Sequence, residues 1–127
     1  MLIRKEFVFD AAHNLTEYHG KCERLHGHTY RIAVVVKGTP DRESIVIDFC
    51  ELSSIVKERV LNVLDHSYIN EILQQPTAEN IAVWIWKKVE QAVLRENCKL
   101  ESIEVWETAS SCAVLCSEDM RKVDPHA

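Results

Sequence analysis

The sequence predicts an α+β fold in which a four-stranded antiparallel sheet carries two helices on one face. Two strand-like segments open the chain, two segments with helical spacing follow, and two more strand-like segments come after them. Strands and helices separated along the chain in this way are typical of α+β proteins. With 127 residues, the chain has the size of one domain. We place this domain at residues 1–118 and expect residues 119–127 to form a loosely ordered tail.

The alternation of apolar and polar residues predicts the first two strands. The segment 25–37, LHGHTYRIAVVVK, is rich in β-branched residues, and the polar segment 14–23 joins it to the preceding strand. We therefore expect the two strands to pair in antiparallel fashion. The alternating positions of the first strand are Ile3, Phe7, Phe9, Ala11 and finally His13.

Residue spacing predicts two helices and two closing strands. Asp48 is a suitable cap for the first helix, and Thr77, which follows Pro76, for the second,. Strands are expected at 100–108 and 111–117. The apolar residues that recur at helical spacing are Leu52, Ile55, Val56, Val60, Val63 and Leu64, and then Ile81, Ile85, Val89 and Ala92 or Val93,.

Composition narrows the class of protein. The formal net charge is −5, which argues against electrostatic binding of nucleic acid. We expect no membrane span, since no apolar run approaches the length that a bilayer requires,. The amino-terminal segment has no signal-peptide layout, and the odd count of five cysteines favours reduced thiols,. These features indicate a cytoplasmic protein.

Three histidines are candidate metal ligands. His26 and His28 lie two residues apart on a predicted strand, so both imidazoles leave the same face,. His13 ends the preceding strand on its apolar parity. Three imidazoles with an open fourth position are typical of catalytic zinc sites. A single histidine on such a face is usually a hydrogen-bonded core residue, but three on adjoining strands favour a metal.

Cys22, four residues before His26, allows two interpretations. As a fourth ligand it would close a structural zinc site. As a free thiol near a cation and beside Lys21 and Arg24, it would be a nucleophile or proton-transfer group with a lowered pKa. Spacing alone leaves both open.

Two carboxylates are candidates for chemistry. Asp65 precedes His66, and such a pair is suited to acid–base catalysis,. The simpler interpretation is that the pair ends a helix, where a histidine interacts favourably with the helix dipole. Glu107 shares parity with the apolar side of its predicted strand, where a carboxylate needs a partner. A ligand with two adjacent N–H donors, such as an aminopyrimidine ring, would satisfy it; otherwise it is a solvated residue at a strand end.

Six motifs together resemble the 6-pyruvoyltetrahydropterin synthase family. In order along the sequence they are FDAAHNL, CERLHGHTY, VIDFCEL, LDHSYIN, PTAENIAVWIW and VWET. The Cys-x-x-x-His-Gly-His spacing is similar to the bacterial 6-carboxy-5,6,7,8-tetrahydropterin synthase branch of queuosine biosynthesis. The pyruvoyl-forming enzymes of the family have a longer gap at this point.

The resemblance implies a fold, an assembly and a substrate. It implies the tunnelling fold, and homotrimers or hexamers whose active sites lie between subunits. The implied substrate is 7,8-dihydroneopterin triphosphate, converted to 6-carboxy-5,6,7,8-tetrahydropterin with release of acetaldehyde and triphosphate.

The resemblance also implies roles for individual residues. Glu23 keeps an alternative open, since a third group of the family uses a glutamate near this position to form 6-hydroxymethyl-7,8-dihydropterin. A pyruvoyl-forming synthase and a non-catalytic zinc- or pterin-binding protein are further alternatives. The implied roles are zinc binding by His13, His26 and His28, catalysis by Cys22, Asp65 and His66, pterin binding by Glu107, Thr77, Ala78 and Thr108, and triphosphate binding by Lys21 and Arg24.

Overall fold

The sheet confirms the predicted α+β class. The computed structural model describes residues 1–16 and 24–123. Within these ranges the spatial order of the strands is β3-β1-β2-β4-β5, and the long pairs β1–β2, β2–β4 and β4–β5 are antiparallel, as predicted. The strands are β1 (Leu2–His13), β2 (His26–Gly38), β3 (Ser67–Tyr68), β4 (Cys98–Thr108) and β5 (Ser111–Cys116).

The sheet contains a short strand beyond the four that the sequence predicts. The two residues of β3 pair in parallel with Ala11 and Ala12 of β1. A two-residue segment carries no alternation, so its sequence gives no strand signal. It becomes a strand because the carboxyl-terminal half of β1 offers an edge to pair with.

Both predicted helix caps are confirmed. The Asp48 carboxylate accepts hydrogen bonds from the backbone N–H groups of Cys50 and Glu51, and Thr77 Oγ1 accepts one from Asn80. None of the described helices is long and apolar enough to cross a membrane. The helical segments are α1 (Phe49–Val56), a π-helical turn (Lys57–Leu61), α2 (Asn62–Leu64), a 3-10 turn (Ile69–Glu71), α3 (Ala78–Val93) and α4 (Ser117–Val123).

Helix α4 lies where the sequence predicts the start of a loose tail. Its Met120 is only 4% exposed and belongs to the core. The Asp119 carboxylate accepts a hydrogen bond of 3.0 Å from the backbone N–H of Cys116. A single buried side chain in a seven-residue helix leaves too little periodicity to predict the helix. The expectation of a loose tail from Asp119 is therefore wrong as far as Val123.

The core fills the space between the helices and one face of the sheet. Among the apolar residues that recur at helical spacing in the sequence, Val63 is 41% exposed and lies outside the core. On β1 the buried parity runs through Phe9 and Ala11 to His13, so the core face of the sheet leads directly to the first candidate metal ligand. The most deeply buried residues of the core include Tyr30, Ile32, Val34, Leu52, Val56, Val60, Leu64, Ile81, Ile85, Val89, Ile103 and Val105.

Candidate metal centre and active site

The strand register brings the three predicted histidine ligands together. In the β1–β2 pair, His13 lies opposite His26 and Ala11 lies opposite His28. The Nε2 atom of His13 is 3.0 Å from Nε2 of His26 and 3.2 Å from Nε2 of His28. The three side chains thus direct ring nitrogens at one point, which confirms the predicted convergence.

Hydrogen bonds on the far side of two rings fix their tautomers. His13 Nδ1 lies 2.8 Å from the carbonyl oxygen of Pro76, and His26 Nδ1 lies 2.8 Å from that of Arg24. A carbonyl only accepts, so each Nδ1 carries the proton and each Nε2 presents a lone pair. Two Nε2 lone pairs that face each other at 3.0 Å repel unless a proton or a metal ion lies between them.

The spacing and chemistry of these nitrogens fit zinc. Zinc held tetrahedrally by imidazoles at about 2.0–2.1 Å has ligand nitrogens roughly 3.3 Å apart. The separations of 3.0 and 3.2 Å between His13 Nε2 and the other two Nε2 atoms lie close to that value. His13 is 2% exposed, so bulk water does not reach its Nε2 atom to hydrogen-bond with it. The residues present therefore fit a three-histidine metal centre.

Tyr30 is a part of this centre to which the sequence motifs assigned no role. Its hydroxyl lies 3.2 Å from His13 Nδ1, and its ring stacks on Phe9 with 5.1 Å between centroids. Its ring also meets that of His28 at 5.4 Å in a T-shaped contact. The available signal was parity, since Tyr30 follows His26 and His28 at spacing two on β2.

A β-bulge aims Glu107 at the metal centre. The β4–β5 register shifts between Trp106 and Thr108, so Glu107 has no partner on β5. Glu107 Oε1 lies 3.8 Å from His13 Nε2, and the side chain is 30% exposed. Glu107 thus faces the same side as Val105 and Ile103, as predicted, and its carboxylate lies beside the histidine centre.

Glu107 also lines an open cleft of about 450 Å³ between α3 and the β4–β5 hairpin. Ala78, the first residue of α3, forms the opposite wall. Thr77 and Thr108 are the sequence neighbours of Ala78 and Glu107 but do not line the cleft. Thr77 Oγ1 caps the helix, and Thr108 Oγ1 accepts a 3.4 Å hydrogen bond from the backbone N–H of Ser110. Of the predicted pterin-binding residues, the structure therefore brings Glu107 and Ala78 together. The remaining lining residues are Glu79, Ser111, Cys112, Ala113 and Val114.

Asp65 and His66 lie in a separate group at the edge of the sheet. Asp65 Oδ1 accepts a 3.0 Å hydrogen bond from the backbone N–H of Asp10 and lies 3.1 Å from His66 Nδ1. The pKa of Asp65 is lowered, chiefly by the hydrogen bond from the Asp10 backbone. Burial acts to raise this pKa, and the neighbouring His66 lowers it further. His66 is 80% exposed and has a left-handed backbone with φ of 59°. The pair therefore points into solvent and does not join the histidine centre.

The sequence matches the family model described as 6-pyruvoyl tetrahydropterin synthase over residues 2–118. The chain belongs to this family. A Synechocystis protein named 6-carboxy-5,6,7,8-tetrahydropterin synthase is 44% identical over 119 residues, covering 88% of this chain and 90% of that protein. A Pyrococcus furiosus protein named dihydroneopterin monophosphate aldolase is 40% identical over 101 residues, covering 78% of this chain and 82% of that protein.

A solved structure shows the shared tunnelling fold. The Caenorhabditis elegans 6-pyruvoyl tetrahydropterin synthase superposes with a TM-score of 0.77 at 22% identity, covering 92% of this chain and 95% of the worm protein. The fold predicted from the six motifs is therefore confirmed for this member of the 6-pyruvoyl tetrahydropterin synthase family.

The remaining predicted site residues of this family member lie between β1 and β2 in the sequence. Lys21, Cys22 and Glu23 lie outside the described residues. Arg24 is exposed, and its backbone carbonyl holds His26. Their proposed roles therefore rest on the sequence.

Proposed function

We propose that the protein is a zinc-dependent 6-carboxy-5,6,7,8-tetrahydropterin synthase of the cytoplasm. Its substrate would be 7,8-dihydroneopterin triphosphate, and its products would be the 6-carboxypterin, acetaldehyde and triphosphate, with water consumed when a carbon–carbon bond of the substrate's side chain breaks. The observation that carries this proposal is the position of the Glu107 cleft beside three converging Nε2 atoms. A pterin ring held in that cleft would direct its side chain at the metal ligands.

Glu107 would fix the pterin ring. A carboxylate accepts two parallel hydrogen bonds from the adjacent ring N–H and amino groups of an aminopyrimidine. Its 30% exposure leaves room for a ligand to reach it, and the cleft wall at Ala78 has no large side chain to block the ring. Lys21 and Arg24 would bind the triphosphate.

His13, His26 and His28 would hold zinc, which when bound supplies a Lewis acid for the hydroxyls of the substrate's side chain. Cys22 would act as a thiolate that moves a proton on that side chain. The Asp65 carboxylate, whose pKa is lowered chiefly by the hydrogen bond from the Asp10 backbone, would orient the His66 ring through its contact with Nδ1,. His66 would then serve as the complementary acid and base.

The exposure of Asp65 and His66 supports an active site shared between subunits. A catalytic imidazole that is 80% exposed has no substrate pocket around it on its own subunit. In addition, β5 is an edge strand, and among described residues β3 pairs only with the end of β1. Free sheet edges of this kind favour association with further strands. We therefore propose a homotrimer or a hexamer in which His66 of one subunit meets the histidine centre of another.

A second candidate reaction cleaves the substrate to a 6-hydroxymethylpterin. The similarity to the Pyrococcus furiosus protein named dihydroneopterin monophosphate aldolase favours it, and Glu23, adjacent to Cys22, is the residue that would support it. A pyruvoyl-forming synthase would keep all three carbons of the side chain. A non-catalytic zinc- or pterin-binding protein would leave the substrate unchanged.

One incubation separates these candidates. The zinc-loaded protein is mixed with 7,8-dihydroneopterin triphosphate, the pterin is identified by mass spectrometry, and acetaldehyde is assayed. A carboxypterin with equimolar acetaldehyde supports the proposal. A pyruvoyl or hydroxymethyl product would replace the proposed reaction with the corresponding alternative, and unchanged substrate would remove the enzymatic role.

A further inference from the structure

The segment 67–76 runs along the end of β1 and contacts it repeatedly; we call it the bracket segment. Its first two residues pair with β1 in the sheet, and Pro76 at its other end accepts the hydrogen bond from His13 Nδ1. Between them, Tyr68 donates a 2.5 Å hydrogen bond to the Asn14 side chain, and Gln75 Oε1 accepts a 2.8 Å hydrogen bond from the Thr16 N–H. The bracket segment thus holds the chain on both sides of His13, through Ala11 and Ala12 before it and through Asn14 and Thr16 after it.

Asn70 makes the most specific of these contacts. Its Oδ1 accepts a 3.0 Å hydrogen bond from the N–H of Asn14, and its Nδ2 donates a 2.8 Å hydrogen bond to the carbonyl of the same residue. The reciprocal pairing fixes the orientation of the amide, since an inverted amide would face a donor with a donor. Strand β1 ends at His13, so the amide takes the place of the next strand residue and satisfies both backbone groups.

We propose that Asn70 is a positioning residue for the metal centre, acting through the backbone of Asn14 on the adjacent ligand His13. This inference rests on the proposed function because it takes His13 as a zinc ligand. The Pro76 carbonyl fixes the rotation and tautomer of the His13 ring, while Asn70 fixes the backbone from which the ring projects. Groups behind metal ligands commonly change metal affinity by about 10–100-fold when removed.

The test compares three variants in the full-length protein. Asn70→Ala removes both hydrogen bonds, and Asn70→Leu removes them while keeping the side-chain volume. Gln74→Ala is the matched control, since Gln74 is exposed in the same segment and, among the described residues, its side chain makes no hydrogen bond to β1, Asn14 or the three histidines. Zinc affinity is measured on the substrate-free protein by competition with a chromophoric chelator, and kcat and KM are measured with the pterin triphosphate.

Both Asn70 variants should bind zinc about tenfold more weakly than the wild type. Their kcat should fall while KM stays within about twofold, because Asn70 does not touch the Glu107 cleft. The control should match the wild type in all three quantities. If the alanine variant does not fold, the leucine variant decides.

Unchanged zinc affinity in a folded Asn70 variant overturns the inference and leaves the proposed function intact. Weaker zinc binding in a protein whose wild type gives no pterin product supports the positioning role and overturns the proposed reaction. A wild type that binds no zinc overturns both.

Discussion

At the scale of single residues, His13 shows how a ligand is prepared for a metal. Its ring is 2% exposed, its Nδ1 donates to Pro76, and its Nε2 faces two other ring nitrogens. Burial prevents water from competing, and the carbonyl selects the tautomer with a free Nε2 lone pair. These three conditions together support the proposal that His13 is a metal ligand rather than an ordinary core histidine.

Replacing Glu107 by Gln should weaken substrate binding far more than it weakens folding. Loss of charge-assisted hydrogen bonds to the pterin should raise KM by about 10–100-fold. The free energy of unfolding should change by less than about 0.5 kcal/mol, because the side chain is partly exposed,. Steady-state kinetics and chemical denaturation measure the two effects. Glu104→Gln, on the other face of the same strand, is the control for KM; an unfolded Glu107 variant, or one with normal KM, would contradict the anchor role.

Replacing Cys22 by Ala should remove turnover and retain zinc. Three histidines already converge on one point, so a thiolate is not required to hold the metal, whereas loss of a proton-transfer group costs about 10²–10⁴-fold in kcat. Metal analysis and kcat are measured on the same preparation. Cys50→Ala, at an exposed position on α1, should leave both unchanged. Loss of zinc from the Cys22 variant would identify Cys22 as a ligand and reject the catalytic assignment.

At the scale of elements, the pairing of β4 is irregular at two points, and the second of them places Glu107 at the site. One register shift separates the pairing of Val35 from that of Val36, and a second leaves Glu107 unpaired beside the metal centre. Bulges of this kind redirect side chains and are common next to active sites. The strand β4 is therefore both a core strand and the support of the predicted pterin-binding carboxylate.

Replacing Gly38 by Ala should disturb the packing between β2 and β4. A Cβ atom added there would lie 2.2 Å from the Asn97 carbonyl oxygen and 2.6 Å from Cys98 Cβ. Gly38→Ala must therefore displace backbone, and we expect a loss of about 1–3 kcal/mol in the free energy of unfolding. Gly27→Ala is the control, since its added Cβ would meet only the Ala11 oxygen at 3.5 Å. Equal stability of the two variants in urea denaturation would show that β2 and β4 approach less closely here.

At the scale of the whole molecule, the metal centre and the acid–base pair lie on different parts of one subunit. The histidine centre ends the core face of the sheet, while Asp65 and His66 project at the edge of β1. A second subunit can supply what each group lacks. Symmetric association would also cover strand edges that are open in a single subunit.

Co-assembly of two inactive variants tests this arrangement. His13→Ala and His66→Ala subunits should each lack activity, but random mixed oligomers should contain about one intact site in four. Turnover of the co-expressed, doubly tagged oligomer is compared with that of each variant alone. Subunits with His13→Ala and His26→Ala damage the same half of the site, so their mixture should stay inactive. Failure of the first mixture to recover activity would place the whole site within one subunit.

Much of the fold and of the metal centre follows from local pattern. Parity placed Ile3 to His13 and His26 to Tyr30 on a common face, and the predicted caps Asp48 and Thr77 begin their helices. These features depend on residues close in sequence, where periodicity and capping chemistry act. The strand β3 was missed because two residues carry no alternation, and helix α4 was missed because its single buried side chain, Met120, sets no helical period.

The sequence by itself determined which groups are available for chemistry: three imidazoles on one sheet face, an inward carboxylate at Glu107, and the motifs of a synthase family. Only the tertiary structure decided how they are held. The Pro76 carbonyl reaches His13 across 63 positions of sequence, and Asn70 reaches Asn14 across 56. Local periodicity contains no information on such contacts, because they form only when the segment between β3 and α3 folds back along β1.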